Sequence, residues 1–433
     1  MMQLDRIENS WIDDRFKGIP GGIAPFRLRE IGQHGWNILQ EDLPLPVAII
    51  KKPQLDHNRR WMKQFLQRTG AQLYPHGKTT MAPQLFALQL ADGAAGISLA
   101  TSQQLAIARR FGVSSVLLAN QIIGRATADY LANQLAQDDQ FQFLGLVDSL
   151  ETVRLLADAA KRFQLKRPIE LLLEFGVAQG RTGVRSIAQA FKVAAEIAQH
   201  APVLRLRGIE GFEGIVSGGS EEETEHLVRQ YLRQLCEAAE ACVQRQLLNA
   251  DHLLLSAGGS AFFDLVVEAR QRFPFVSEPN VLLRSGCYLT HDSGVYEKFH
   301  ARMLQRGLAA DRTEQGLLPA LEVWAYVQSR PEPTRAVLNV GRRDCSFDAG
   351  LPKLEKWYRP GEHDCPQPIE AGAAVQGLND QHALIDLPSE SPLRPGDLTA
   401  LSISHPCTTF DKWRLLPLVD ESYNVTHAIR TYF

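Results

Sequence analysis

The chain has 433 residues, 45% of them hydrophobic and 22% charged, with a formal net charge of -3. That length favours two domains over one core, and that charge balance offers no electrostatic footprint for nucleic acid. Residues 1–30 mix acids, bases and prolines with no apolar run suited to secretion or to spanning a bilayer, so a cytoplasmic protein with no membrane partner is expected.

From about residue 47 to 290, short apolar runs alternate with stretches of helical periodicity. The runs are PVAIIKK, GISLAT, SVLLANQ, FLGLVDS, IELLLEFG, LRGIEGFEG and HLLLSAGG, with two more near AQLYPHG and NVLLRSG. Between them, SQQLAIARRFG, SLETVRLLADAAKRF and SIAQAFKVAAEIAQH space their apolar residues as helices do. Strands buried on both faces read as unbroken apolar runs, and their alternation with helices means a parallel sheet. Counting PVAIIKK among them, about eight or nine such units predict an α/β chain built on a closed (β/α)8 barrel.

Past residue 310 the pattern changes. ALEVWAYVQSRP, TRAVLNVGRRD, AAVQGLNDQHALIDL and GDLTALSISHP are strand-like and separated by Pro, Gly and Asp turns, which predicts a smaller, mostly β domain. The expected division is an N-terminal extension, 1–44, packing on the β domain, a barrel over 45–308, and a β-rich domain over 309–433. Six cysteines lie scattered without a small-domain spacing, which argues for reduced thiols or metal ligands over a disulfide framework.

Reactive groups of such a barrel sit at the C-terminal ends of its strands. There the runs end in polar residues. Lys78 follows AQLYPHG; Arg181 follows LLLEFGVAQG; Glu213 and Ser217 follow LRGIEGF; Ser256, Gly258, Gly259 and Ser260 follow HLLL; Arg284, Ser285, Gly286 and Tyr288 follow NVLL. A partly desolvated lysine among small residues can condense with an aldehyde, the anchoring chemistry of pyridoxal phosphate, although an arbitrary lysine is a solvated surface group. Adjacent glycines flanked by Ser256 and Ser260 ahead of a helix-like stretch can bring backbone N–H groups to a phosphate, and Tyr288 lies in a second such cup. Arg181, on a glycine-flanked loop, can hold a phenolate or a carboxylate, or serve as a salt bridge across the barrel top.

The segment SISHPCTTFDKW places His405 and Cys407 one residue apart at an expected strand end, both on one face, an imidazole and a thiol suited to Zn2+ with open coordination. His363 and Cys365 in GEHDC are a rival pair in a loop with no scaffold to fix their geometry.

Taken together, PHGKTTMAP, GRTGVR, SAGGSAFFD, RSGCY and SHPCTT resemble, in order from about residue 45 to 413, the D-threonine aldolase and D-serine dehydratase branch of the fold-type III pyridoxal phosphate enzymes, the wider group of alanine racemase. The resemblance implies pyridoxal 5'-phosphate on Lys78, its phosphate near Gly258, Gly259 and Ser260 with Tyr288 nearby, and Arg181 beside the ring. It implies a divalent metal on His405 and Cys407, and a homodimer in which Arg342, Arg343 and Asp344 could face the neighbouring site. The activity implied is dehydration and deamination of a β-hydroxy-D-amino acid such as D-serine or D-threonine, with retro-aldol cleavage of D-threonine or 3-hydroxy-D-aspartate as the alternative and a non-catalytic pyridoxal phosphate carrier as a third reading. In this family His-x-Cys at the metal accompanies dehydratases and His-x-Asp several aldolases. Thr80 stands where many members carry histidine, which removes an imidazole from beside the cofactor.

Overall fold

The computed structural model describes residues 2–307 and 315–433. Eight of the apolar runs form parallel strands, β1 (Gln72–Leu73), β2 (Ile97–Leu99), β3 (Ser115–Gln121), β4 (Gln142–Val147), β5 (Ile169–Glu174), β6 (Leu204–Glu210), β7 (Leu254–Ala257) and β8 (Asn280–Leu283). Each pairs with its sequence neighbour except that β1 lies beside β8. Between β1 and β2 the ring is closed by the His76 to Ser98 bridge and by bonds from Ala95 N to Leu73 O and Ser98 N to Pro75 O, each 2.9 Å. A (β/α)8 barrel results.

Alternation explains why the runs are apolar throughout. Leu117, Leu144, Leu146, Leu172, Leu254 and Leu282 fill the barrel interior with Tyr74. Residues of opposite parity, such as Leu118, Val147, Leu171, Leu173 and Leu255, join the core beneath the helices. The helices begin at the barrel mouth on side-chain caps: Thr101, Ser149, Ser186 and Ser220 each accept an N–H from the first turn of the helix that follows. Such a cap contributes about 1 kcal/mol and sets where each strand-to-helix loop ends.

The second domain is a mostly antiparallel sheet around the long strand Leu321–Glu332, which pairs with Leu398–Ser402. One expectation is corrected here. The run PVAIIKK is not a barrel strand: Val47–Lys51 pairs antiparallel with Leu321–Glu332 and parallel with Leu415–Val419. Val47 to Ile50 are wholly buried, so their apolar run reads alike in either sheet, and the barrel begins at Gln72. Upstream residues also lie on this sheet, with Ile38 N bonded to Tyr423 O at 3.1 Å and Lys17 paired with Asp344 at 2.5 Å. The expected boundary at 308/309 lies outside the described residues. All six cysteines are free. Among the described residues no helix is long and apolar enough to cross a membrane.

Candidate active site

A cavity of about 410 Å³ opens at the C-terminal mouth of the barrel, where strand ends meet the turn after Leu398–Ser402. Larger clefts of about 550 and 570 Å³ lie elsewhere, one lined by strand-starting residues such as Gln72, Gln142 and Asn280, the other on the outer faces of helices. Strand ends, not strand starts, carry the chemistry of this fold, so the smaller cavity is the site.

Lys78 lies in the short turn Gly77–Thr79 after β1 and lines the cavity, with no hydrogen bond or ion pair among the described residues. The turn is tight because Gly77 leaves no room for a side chain: a Cβ there would stand 2.7 Å from Ile97 and 2.9 Å from Phe86. His76, behind the lysine, is held far below the ordinary histidine range by burial first and by the nearby Lys78 and Arg284 charges next. It is therefore a neutral imidazole.

The floor carries two carboxyl groups that were not singled out from sequence. Glu174 and Glu210 end β5 and β6, and the buried Arg284 bonds Glu210 and donates to Gly211 O at 2.6 Å. Burial pushes the Glu210 carboxyl up to about 8 against the opposing pull of Arg284. Signals were available in LLLEFG and GIEGF, each an acid closing an apolar run where a solvated charge would not be placed.

Two strand-end turns are laced together beside Lys78. Glu213 accepts N–H bonds from Gly258 at 3.1 Å and Gly259 at 2.6 Å, Ser285 Oγ donates to Gly258 O, and Cys287 N donates to Ser260 Oγ at 3.2 Å. Gly259 and Ser260 reach the cavity wall; Ser256, Gly258 and Tyr288 do not. Ser256 is buried within β7, the Gly258 and Gly259 N–H groups are both taken by Glu213, and the Tyr288 hydroxyl turns to Gln89. Arg181 rides on a loop tied by Arg185, which donates to the carbonyls of Arg181 and Thr182 at 2.6 and 2.7 Å, and its guanidinium lies 4.7 Å from the Phe212 ring.

From the β domain come His405 and Cys407. They do not share a strand face: the strand ends at Ser402, and Pro406 starts the short helix Cys407–Phe410. Both still line the cavity. His405 Nδ1 lies 2.5 Å from Asp348 Oδ2, and Thr408 donates to the other Asp348 oxygen at 2.6 Å. Cys407 Sγ stands 3.6 Å from Cys287 Sγ. That neighbouring thiol, then His405, draws the Cys407 thiol far below its ordinary range, while His405 is pushed up to about 9 mainly by Cys407. Cys407 is thus the thiolate of the pair and Cys287 the thiol.

The rival pair is used otherwise, since His363 Nδ1 accepts from Arg359 N at 3.2 Å and packs on Trp357. Asp344 is buried on Gly341 N and Lys17, and neither it nor the exposed Arg342 and Arg343 lines the cavity.

Buried polar atoms of three cavity-lining residues lack partners: His76 Nδ1, Glu210 Oε2 and Arg284 Nε. Such orphans suit a polar occupant, and Arg284 Nε, a donor, suits an anionic group of it. A free amine at Lys78, the Ser260 hydroxyl, whose own proton is not engaged, and the unpaired Arg284 Nε–H fit pyridoxal phosphate. A thiolate and an imidazole fit a divalent ion, although among the described residues no three or more His, Cys, Asp or Glu side chains are gathered as they stand to hold one.

Residues 320–419 match a family model described as "Putative serine dehydratase domain". The chain is 24% identical to D-threonine aldolase of Arthrobacter sp. over 84% of its own length and 86% of that protein. It is 22% identical to D-threo-3-hydroxyaspartate dehydratase of Delftia sp. (strain HT23), over 85% of the chain and 92% of that protein. The structure of D-threonine aldolase from Filomicrobium marinum superposes with a TM-score of 0.72 at 20% identity, covering 90% of this chain and 95% of that one.

Proposed function

We propose that this chain, which belongs to the fold-type III pyridoxal phosphate family, is a lyase that dehydrates and deaminates a β-hydroxy-D-amino acid of the D-serine or D-threonine type. The observation that carries it is the convergence on one cavity of an unpaired lysine, a strand-end Gly259-Ser260 turn and a cysteine-histidine pair.

Lys78 Nζ would hold the cofactor covalently, with Gly259 and Ser260 at its phosphate and Arg181 beside its ring. When bound, pyridoxal phosphate withdraws electrons from the substrate α-carbon. Lys78 then has the reach to take the Cα proton, because no ion pair restrains it. Arg284, held by its ion pair with Glu210 and by the Gly211 carbonyl, places a fixed guanidinium on the cavity floor. His405 and Cys407 would hold a divalent ion, zinc by the softness of the thiolate, supplying Lewis acidity at the β-hydroxyl. Arg181 is available for the substrate carboxylate, and Phe212 beneath it keeps that side of the cavity apolar.

The reaction balances without a further reagent. Loss of the α-proton and the β-hydroxide yields water and an enamine, which tautomerises to an imine; taking up water, the imine gives ammonia and a 2-oxo acid.

Relatives named as aldolases and as a dehydratase support the lyase class alike. Cys407, in the position where a carboxylate accompanies aldolases, favours elimination. Retro-aldol cleavage by the same residues is the second reading. Purified protein given D-threonine separates them: 2-oxobutanoate with ammonia supports elimination, glycine with acetaldehyde the alternative, and neither product from a pyridoxal phosphate-loaded protein refutes both. A homodimer belongs to this proposal, with the exposed Arg342, over Phe347, and Arg343, paired with Asp380, on the surface that would face a partner, and sedimentation of a monomer would remove that part.

A further inference from the structure

We propose that Cys287 is a third protein ligand of the ion placed on His405 and Cys407, completing a Cys2His donor set; the inference rests on that reading of the site. Cys287 opens the turn Cys287–Leu289 after β8, and Cys407 opens the helix Cys407–Phe410 of the other domain. They are 120 residues apart in sequence, yet their sulfurs stand 3.6 Å apart. Two thiolates on one tetrahedral zinc, each at about 2.3 Å, are separated by about 3.8 Å. A disulfide would bring them to about 2.05 Å. The observed 3.6 Å, also the distance of an S–H···S hydrogen bond, lets both sulfurs reach one ion with little movement.

The surroundings agree. Thr79 Oγ1 lies 3.4 Å from Cys407 Sγ and 3.9 Å from Cys287 Sγ, so both sulfurs share the corner of the cavity next to the Lys78 turn. Cys236 and Cys242 are packed into the apolar core, whereas Cys287 belongs to neither apolar cluster and lines the cavity. With the sulfurs already at this separation, the donor still to converge is His405. Its Nδ1 is engaged by Asp348 at 2.5 Å, which leaves Nε2 as the ligating nitrogen with a carboxylate behind it, a usual outer partner of metal-bound imidazole. Three protein donors with a fourth position open to water or substrate is the make-up of catalytic zinc sites, Cys2His among them.

The ligand set then draws on both domains: Cys287 from the barrel, His405 and Cys407 from the β domain. The test uses the full chain under reducing conditions, stripped of metal and titrated with Zn2+ or Co2+, with no substrate. Cobalt reports each thiolate by charge-transfer absorption. For Cys287→Ser the expected result is loss of about half that absorption and zinc binding weakened by about 10–100-fold or more. Zinc X-ray absorption on the unsubstituted protein gives an independent reading that does not depend on a variant folding, with two sulfur neighbours expected. A Cys287→Ser variant with the parent's cobalt spectrum and zinc affinity, a single sulfur neighbour, or a Cys287–Cys407 disulfide in freshly purified protein would each overturn the assignment. If the unsubstituted protein binds no divalent ion, the metal reading of His405 and Cys407 falls with it; if it binds one and Cys287→Ser behaves identically, only the role of Cys287 falls.

Discussion

Gly286 stands where the turn after β8 touches the turn that carries Lys78. A Cβ at this position would lie 2.5 Å from the His76 carbonyl oxygen, 2.8 Å from Thr79 Oγ1 and 3.1 Å from His76 Cβ. Its φ of -103° is open to alanine, so Gly286→Ala is a packing perturbation free of backbone strain. Restoring ordinary contact with that carbonyl requires one turn to move by about 0.9 Å. Overpacking of this kind costs about 2 kcal/mol, or roughly 4–8 °C in Tm for a domain of this size. A reacting amine displaced by about 1 Å loses about 100-fold in rate. The expected outcome is therefore a folded variant with Tm lowered by several degrees, kcat on D-threonine reduced about 100-fold, and slower borohydride trapping of cofactor on Lys78. Gly377→Ala is the control, because a Cβ there meets nothing within 4 Å. A Gly286→Ala protein with the parent's Tm and kcat would refute the claim that these two turns position the lysine.

Other outcomes follow from the same geometry. Lys78→Ala should abolish turnover by about 10³-fold or more and leave far-UV circular dichroism unchanged, since Lys78 makes no bonds among the described residues; residual turnover near the parent rate would remove its role. Burial raises Glu210 from 4.5 to about 8, so the folded state holds a proton that the unfolded chain releases, and stability falls as pH rises across that interval. Melting the cofactor-free protein and Glu210→Gln in parallel should show the parent losing ground to the variant towards pH 8. His300 is shifted the other way: burial holds it neutral down to about 4 while its Nε2 accepts from Leu317 N at 2.8 Å, so its contribution is present above pH 6.5 and is lost as pH falls towards 4. Chelation should silence elimination and added Zn2+ restore it, measured as 2-oxo acid release, whereas activity indifferent to chelators would remove the metal from the mechanism.

The barrel was legible because each interior strand is buried on both faces and therefore apolar without interruption, as in LLLE of β5 and LLSA of β7. The same property hid the placement of Val47–Lys51, whose run carries no mark of which sheet will bury it. Local turns at Lys78, Gly259 and Ser260 were visible as glycine and serine at strand ends. Tyr288 misled, because one step along a tight turn reverses a side chain's direction, and Cys287, its neighbour, takes the cavity side. The meeting of Cys287 with Cys407 could not be read from spacing, since it depends on how the two domains dock. Asp348 was similarly hidden in an irregular loop, with only its carboxylate type to recommend it.

The β domain is split in the chain, with Val47–Lys51 lying between strands that begin at Leu321 and Leu415 and the whole barrel inserted between its parts. During synthesis the barrel can close as soon as it leaves the ribosome, while the early strand waits, unpaired and greasy, for partners not yet translated. Since His405 and Cys407 lie in the last segment of the chain, the barrel can be complete before the residues that the second domain adds to the cavity have been made.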